Sequence, residues 1–129
     1  MTPEWKAAVK AGDISQLQQL LQSGSPVDAK DEHGQTALMN AARDGQTAVV
    51  RWLIEQDADL NHTAKYHLSA LMLAVINGRD AIVAILVEAG ADRSIQGSGA
   101  PGFAGKTALD IARGGGREIM VALLEEAGS

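Results

Sequence analysis

Residues 31–59 read DEHGQTALMNAARDGQTAVVRWLIEQDAD, and most of the remaining chain repeats the pattern of this stretch. The pattern predicts a turn, a short helix, a tight glycine turn and a longer helix. A shift of 33 residues places Leu53 on Leu86, and the opposite shift places it on Leu20. A period of this length is typical of a stacked solenoid, in which one unit cannot bury its apolar face without a neighbour.

Four copies of this unit account for almost the whole chain. The last copy is reached by an offset of 38 residues, because a glycine-rich insertion, Gly97–Gly105, lengthens the turn before it. We expect a single domain over residues 1–129, with copies at about 1–30, 31–63, 64–101 and 102–129. The expected fold class is all-α, an α-solenoid of stacked helix-turn-helix units with hairpin-like loops.

Capping residues and apolar spacing predict two helices in each copy. Thr2 and Pro3 begin the first helix, which ends near Ala11. The other predicted helices span about 14–22, 36–43, 47–56, 71–76, 81–89, 107–113 and 118–126. We expect Trp5 to plug the N-terminal end of the stack, and Trp52 to lie half exposed on the outer helix layer.

Composition and charge exclude several kinds of partner and of binding site. The net charge of -5 would repel nucleic acid and anionic lipid, so we expect neither as a partner. The absence of Cys excludes disulfides and thiolate metal sites. No apolar run has the length of a signal peptide or of a membrane span, and a cytoplasmic protein is therefore expected.

The repeating pattern resembles the ankyrin repeat family, whose unit reads roughly D-x-x-G-x-T-P-L-H-x-A-A-x-x-G-x-x-x-V-V-x-L-L-x-x-G-A-D-x-N. The second copy matches it at Asp31, Gly34, Thr36, Leu38, Ala41, Ala42, Gly45, Val49, Val50, Leu53, Ala58, Asp59 and Asn61. The third copy matches at Leu71, Ala74, Gly78, Val83, Leu86, Gly90, Ala91 and Asp92. The fourth matches at Gly105, Thr107, Leu109, Ala112, Gly116, Val121 and Leu124.

The chain departs from the family pattern in two ways. Ala37 and Met39 replace the Pro and His of the T-P-L-H signature, and the other copies lack them too. We therefore expect the polar bonds that this His provides between neighbouring turns to be missing. His67 stands where the family has a turn glycine, which predicts a distorted third hairpin.

The resemblance implies a non-enzymatic module that binds another protein along the concave surface made by loop tips and short helices. The partner-binding residues that it implies are Glu32, His33, Gln35, Arg43, Asp44, Lys65, Tyr66, Leu68, Ile76, Asn77, Phe103 and Lys106. Within this set we expect Tyr66, Leu68, Ile76 and Phe103 to form an exposed apolar patch with a polar rim. The alternative is that Tyr66 and Phe103 pack against the insertion.

Other functions have weaker signals. Residues 100–107, APGFAGKT, fit a relaxed phosphate-loop pattern, but the repeat already explains the Gly and the Thr and leaves only Lys106 for nucleotide binding. His33, His62 and His67 lack metal-ligand spacing, and no catalytic set is found, so we expect no cofactor, no metal and no enzyme. An architectural spacer or a fragment of a larger assembly is a further alternative. A monomer is expected, with dimerisation through the fourth copy as the other possibility.

Overall fold

The computed structural model describes residues 1–99 and 102–127, and in this part of the chain the fold is all-α, as predicted. Its helices are α1 (Pro3–Ala11), α2 (Ile14–Gln22), α3 (Ala37–Asp44), α4 (Thr47–Glu55), α5 (Ala70–Ile76), α6 (Asp80–Glu88), α7 (Ala108–Gly114) and α8 (Glu118–Ala127). A short 3-10 turn covers Lys65–His67. Every predicted helix is present, with ends within one residue of the predicted ones.

The helices form two layers. The helices α1, α3, α5 and α7 contact one another in chain order and make the inner layer, while α4, α6 and α8 stack in the outer layer. Leu53, Leu86 and Leu124 are 0%, 0% and 3% exposed and belong to one hydrophobic cluster. This continuous cluster confirms the predicted spine, to which each buried Leu contributes roughly 1.5–3 kcal/mol.

Each inner helix begins at a hydroxyl cap. The side-chain oxygen of Thr36 accepts a hydrogen bond from Met39 N at 3.3 Å, and Ser69 and Thr107 make the same bond in the next two repeats. Such a cap satisfies one of the free N–H groups of the first turn and stabilises the helix by about 1 kcal/mol. The starts of the inner helices are therefore encoded locally.

A recurring hydrogen bond joins each repeat to the next. The residue just before each of α4, α6 and α8 has a long side chain that donates to a carbonyl at the C-terminal end of the inner helix of the preceding repeat. The pairs are Gln46 Nε2 to Lys10 O at 2.8 Å, Arg79 Nε to Arg43 O at 3.1 Å and Arg117 Nη2 to Ile76 O at 3.3 Å. The stack is thus held by polar bonds as well as by apolar contact.

The two tryptophans pack together in the first two repeats. Trp5 is 1% exposed and plugs this end of the stack, as predicted. The prediction that Trp52 lies half exposed is wrong, because Trp52 is only 6% exposed. Its ring centroid lies 6.2 Å from that of Trp5, at an interplanar angle of 50°, so the first repeat covers the outer-layer indole.

The third hairpin is distorted, as predicted. His67 adopts a φ of 58° where the second hairpin has Gly34 at 75°, and Tyr66 before it is also left-handed, at 63°. A left-handed backbone costs a non-glycine residue about 1–2 kcal/mol. The hairpin still closes through the Ala64 N to Leu68 O hydrogen bond at 3.2 Å.

The insertion lies inside the fourth hairpin. Gly97 N donates to Lys106 O, and Gly97 O accepts from Gly105 N, both at 2.9 Å. These bonds match those of Asp31 in the second hairpin, so Gly97 begins the fourth hairpin. The predicted division between copies at residues 101 and 102 falls inside this hairpin, and the division of the chain into copies stays a prediction.

Candidate protein-binding surface

All twelve predicted partner-binding residues lie on one structural layer. We call this layer the inner surface and define it by four segments, residues 1–11, 31–44, 64–77 and 97–115, which hold the inner helices and the hairpins before them. Residues 32–35 and 65–68 lie in hairpins, Arg43 and Asp44 end α3, and Asn77 caps the end of α5. The repeat register therefore brings loop tips and inner helices to the same face.

The second repeat contributes a polar cluster to this surface. Arg43 Nη1 donates to Gln35 Oε1 at 2.9 Å, and Arg43 Nε donates to Asp44 Oδ1 at 2.9 Å. Lys6 of α1 reaches the neighbouring hairpin and pairs with Glu32 at 2.5 Å, and this hydrogen bond lowers the pKa of the exposed Glu32 carboxyl. Gln35, Arg43 and Asp44 are thus joined by direct hydrogen bonds, and Glu32 lies in the same hairpin as Gln35.

Asp31 is the structural centre of the second hairpin. Its carboxylate accepts hydrogen bonds from His33 N at 2.8 Å, Gln35 N at 2.9 Å and Asn40 Nδ2 at 3.2 Å. Partial burial raises the pKa of the Asp31 carboxyl, but these three donors outweigh it and leave the pKa below its ordinary value. Asp31 therefore remains charged and holds the tip that carries His33 and Gln35.

A groove of about 270 Å³ lies between α1 and α3. Its lining includes Lys6, Lys10, His33 and Arg43. Lys10 was missed in the sequence analysis, although a shift of 33 residues from Arg43 leads to it. The same register that indicated Arg43 and Ile76 would have found it.

The apolar patch is smaller than predicted. Leu68 is only 7% exposed and belongs to the hydrophobic core, so its inclusion in an exposed patch was wrong. Its counterpart Gln35 reaches out to Arg43, whereas an aliphatic side chain at this position gains more by turning into the core. Ile76 is half-buried, which leaves Tyr66, 38% exposed, as the exposed aromatic of this surface among the described residues.

Phe103 packs within the insertion, as the alternative interpretation expected, whereas Tyr66 is joined to the insertion through its backbone carbonyl. Tyr66 O accepts from Ser98 N at 2.8 Å, while the Lys65 ammonium lies 4.9 Å from the centre of the Tyr66 ring. Phe103 is half-buried against the core and passes so close to Gly97 that a Cβ at Gly97 would lie 2.5 Å from Phe103 O. Phe103 is thus held in the loop, but the Tyr66 ring stays accessible.

The phosphate-loop pattern does not form a phosphate cradle in its described part. Gly105 N and Lys106 N donate to the carbonyls of Gly97 and Phe103, and Thr107 Oγ1 accepts the capping bond from Asp110 N. These backbone donors and this hydroxyl are therefore occupied within the hairpin and the helix cap. Ala100 and Pro101, at the start of the pattern, lie outside the described residues.

Two histidines each join a hairpin to the segment that leads into the next hairpin. His62 Nε2 lies 3.0 Å from Gly34 O, and His67 Nδ1 lies 2.8 Å from Gln96 O. A carbonyl oxygen only accepts, so these ring nitrogens carry the protons. The chain lacks the His of the T-P-L-H signature, and these loop histidines make polar contacts at the hairpins from different positions.

The outer layer has no comparable patch among the described residues. Its large exposed hydrophobic side chain is Ile119, 63% exposed at the start of α8. In the part of the chain that the structure describes, no helix is both long enough and apolar enough to cross a bilayer.

Comparison with known proteins gives the family. The family model described as "Ankyrin repeats (3 copies)" matches residues 5–97. "Ankyrin repeat domain-containing protein 29" of Danio rerio is 49% identical over 55 residues, which cover 42% of this chain and 18% of that protein. "Ankyrin repeat, SAM and basic leucine zipper domain-containing protein 1" of Carollia perspicillata is 42% identical over 57 residues, which cover 44% of this chain and 12% of that protein.

The human "Ankyrin repeat domain-containing protein 29" is 46% identical over 55 residues, which again cover 42% of this chain and 18% of that protein. The matches therefore span less than a fifth of the length of these relatives. Ankyrin repeats are generally protein–protein interaction modules and are typically not catalytic. With a family match over residues 5–97 and four stacked helix pairs in the described residues, the chain belongs to the ankyrin repeat family.

Proposed function

We propose that this protein is a non-enzymatic module that binds another protein through its inner surface. The observation that carries the proposal is Tyr66, an aromatic side chain that stays 38% exposed at a hairpin tip with a left-handed backbone. A strained backbone persists only where the surrounding structure holds it, and such residues are concentrated at functional sites. Exposed aromatics are also enriched among the residues that dominate binding energy.

The scaffold around Tyr66 is suited to binding without rearrangement. The tip is held by the Ala64 N to Leu68 O hydrogen bond and by the His67 contact with Gln96 O. Ile76, at the end of α5 in the same repeat, offers a half-buried aliphatic surface. Because these groups are already ordered, little conformational entropy is lost when a partner docks.

The test begins with capture of partners from the native host and their identification by mass spectrometry. Affinity for the identified partner is then measured by calorimetry for the wild type and for the double variant Tyr66→Ala, Ile76→Ala. We expect binding to weaken at least tenfold, or about 1.4 kcal/mol, while helix content by circular dichroism is unchanged.

The matched control is Ile119→Ala, which removes an exposed hydrophobic side chain from the outer layer. It should leave the affinity within about twofold. If Ile119→Ala weakens binding and the inner-surface variant does not, the partner docks elsewhere and the proposal is wrong.

A further inference from the structure

Charge is divided unequally between the inner surface and the rest of the chain. The four inner segments carry six Lys or Arg and five Asp or Glu, whereas the remaining residues carry five Lys or Arg and eleven Asp or Glu. The inner surface thus has a formal charge of +1 in a protein of net charge -5. From this division we infer that the inner surface binds an acidic peptide segment of the partner, an inference that rests on the proposed function.

Four of the five acids of the inner surface are engaged by neighbouring groups of that surface. Each of four carboxylates accepts hydrogen bonds or forms an ion pair within this surface: Asp31, Glu32, Asp44 and Asp110. The fifth acid, Glu4, lies in the first turn of α1. Ion pairs with Lys6 and Arg43 offset the charges of Glu32 and Asp44, whereas the N–H groups that bind Asp31 and Asp110 leave those carboxylates charged.

Three of the six basic residues of the inner surface are ion-paired: Lys6 and Arg43 within the surface, and Arg113 to Glu125 of α8. Among the described residues, no carboxylate oxygen lies within 4.0 Å of the ammonium groups of Lys10, Lys65 or Lys106. Lys10 lines the groove between α1 and α3, and the other two lie in the third and fourth hairpins. Three cations in three repeats are thus available to an anionic partner.

The third repeat adds an apolar centre to this basic surface. Residues 64–77 contain no Asp or Glu, and they hold Lys65, Tyr66 and Ile76. The Lys65 ammonium already lies near the face of the Tyr66 ring, 4.9 Å from its centre. An acidic segment with an aliphatic side chain near its middle would satisfy both the cations and the apolar surface.

The size of the surface sets the length of that segment. Packed helices lie about 10 Å apart, so four inner helices span about 30 Å. An extended peptide rises about 3.3 Å per residue, and about nine residues therefore cross the repeats. The strongly negative outer layer disfavours long polyanions such as nucleic acid, since their charge extends beyond the inner surface.

A synthetic peptide tests the inference directly. The probe is a twelve-residue peptide of four Glu-Glu-Leu units, compared with four Lys-Lys-Leu units, in titrations followed by amide chemical shifts of the full chain. We expect the Glu peptide to shift resonances of the inner segments, to bind at least tenfold more tightly than the Lys peptide and to weaken as salt is added.

Charge reversal locates the contact. The double variant Lys10→Glu, Lys65→Glu should bind the Glu peptide at least tenfold more weakly. The control Gln18→Glu, Gln19→Glu, Arg51→Glu changes the net charge equally but alters exposed outer positions, and it should weaken binding less than threefold. Equal losses in both variants, shifts confined to the outer helices, or equal affinity for the Lys peptide would each overturn the inference.

The result is separable from the test of the proposed function. If the captured partner depends on Tyr66 and Ile76 while the Glu peptide leaves the inner segments unshifted, then the partner is not acidic and the inner surface is still the docking site. If the Glu peptide binds as expected but the affinity of the captured partner is unchanged by the substitutions at Tyr66 and Ile76, that partner docks on another surface.

Discussion

Asp31 determines the conformation of a whole hairpin through one carboxylate. Its three hydrogen-bond donors come from two backbone groups of the tip and from Asn40 on α3. The third hairpin has Ala64 in the same position and cannot make these bonds. Its tip instead uses two left-handed residues and the His67 bond to Gln96 O. A single side chain thus separates a relaxed hairpin from a strained one.

Replacing this carboxylate should lower stability in a pH-dependent way. We expect Asp31→Ala to reduce the free energy of unfolding by about 1–2 kcal/mol near neutral pH, because charge-assisted hydrogen bonds are lost. The pKa of Asp31 is lower in the folded state than in the unfolded state, so its contribution is fully present above the ordinary carboxyl pKa of about 4 and is lost as pH falls through the folded value.

Urea unfolding of wild type and Asp31→Ala, followed by circular dichroism from neutral pH to about pH 2, measures this difference. The gap between the two proteins should shrink below about pH 4. A gap that stays constant or widens in acid would contradict the assigned role. Glu55→Ala, at an exposed position of α4, serves as the control and should change stability by less than about 0.5 kcal/mol near neutral pH.

Between elements, the turn glycine of one repeat lies against the long side chain that precedes the outer helix of the next repeat. Gly45 has a φ of 81°, and a Cβ there would lie 3.1 Å from the guanidinium carbon of Arg79, which donates to Arg43 O. Gly116, at the same position of the fourth repeat, has a φ of 67° and no described atom within 4 Å of a Cβ. The two glycines share a backbone conformation but differ in their contacts.

Alanine substitutions at these glycines should therefore have unequal costs. Gly116→Ala should lower the free energy of unfolding by about 1 kcal/mol through backbone strain alone. Gly45→Ala should cost about 1 kcal/mol more, because the methyl group also displaces Arg79 from Arg43 O. Thermal or urea unfolding of both variants measures the difference. Equal costs would show that the bond between repeats contributes nothing to stability.

A double-mutant cycle identifies the source of the extra cost. In an Arg79→Ala background, Gly45→Ala should cost no more than Gly116→Ala, since the displaced side chain is already absent. An additive result would assign the extra cost of Gly45→Ala to some contact other than the Arg79 hydrogen bond.

Over the whole molecule, burial decreases toward the fourth repeat. Leu38 and Leu71 are 2% and 0% exposed, whereas Leu109 at the same position is half-buried. Val50 and Val83 are fully buried, and their counterpart Val121 is again half-buried. In a stacked solenoid, stability is a sum of repeat and interface contributions, so less burial means a locally weaker repeat.

Hydrogen exchange should reveal this gradient. We expect the amides of α7 and α8 to exchange through openings of lower free energy than those of α3 to α6, because their repeat loses less apolar contact when it opens. Exchange followed by mass spectrometry or NMR gives the free energy of opening for each helix. Uniform protection across all helices would mean that the stack unfolds only as a single unit.

The sequence predicted those features whose causes lie within a few residues. Thr36 caps α3, and Gly45 allows the turn that ends it, so the helix bounds follow from local chemistry. The period of 33 residues then specifies the stack, because an amphipathic helix pair must bury its apolar face against the next pair. The same local reasoning mispredicts the exposure of Trp52 and Leu68, because their burial depends on side chains that contact them from elsewhere in the fold.

By itself, then, the sequence determined the repeat, the helices, the caps and the layer on which the candidate residues lie. Only the tertiary structure decided which of those residues are exposed, which acids form ion pairs, and that Lys10 and Arg43 line one groove. The physical reason is how far apart along the chain the interacting residues lie. Backbone conformation and periodicity are set by near neighbours along the chain, whereas exposure and the contacts between repeats also depend on residues far apart in sequence, such as Lys6 with Glu32 and Arg79 with Arg43.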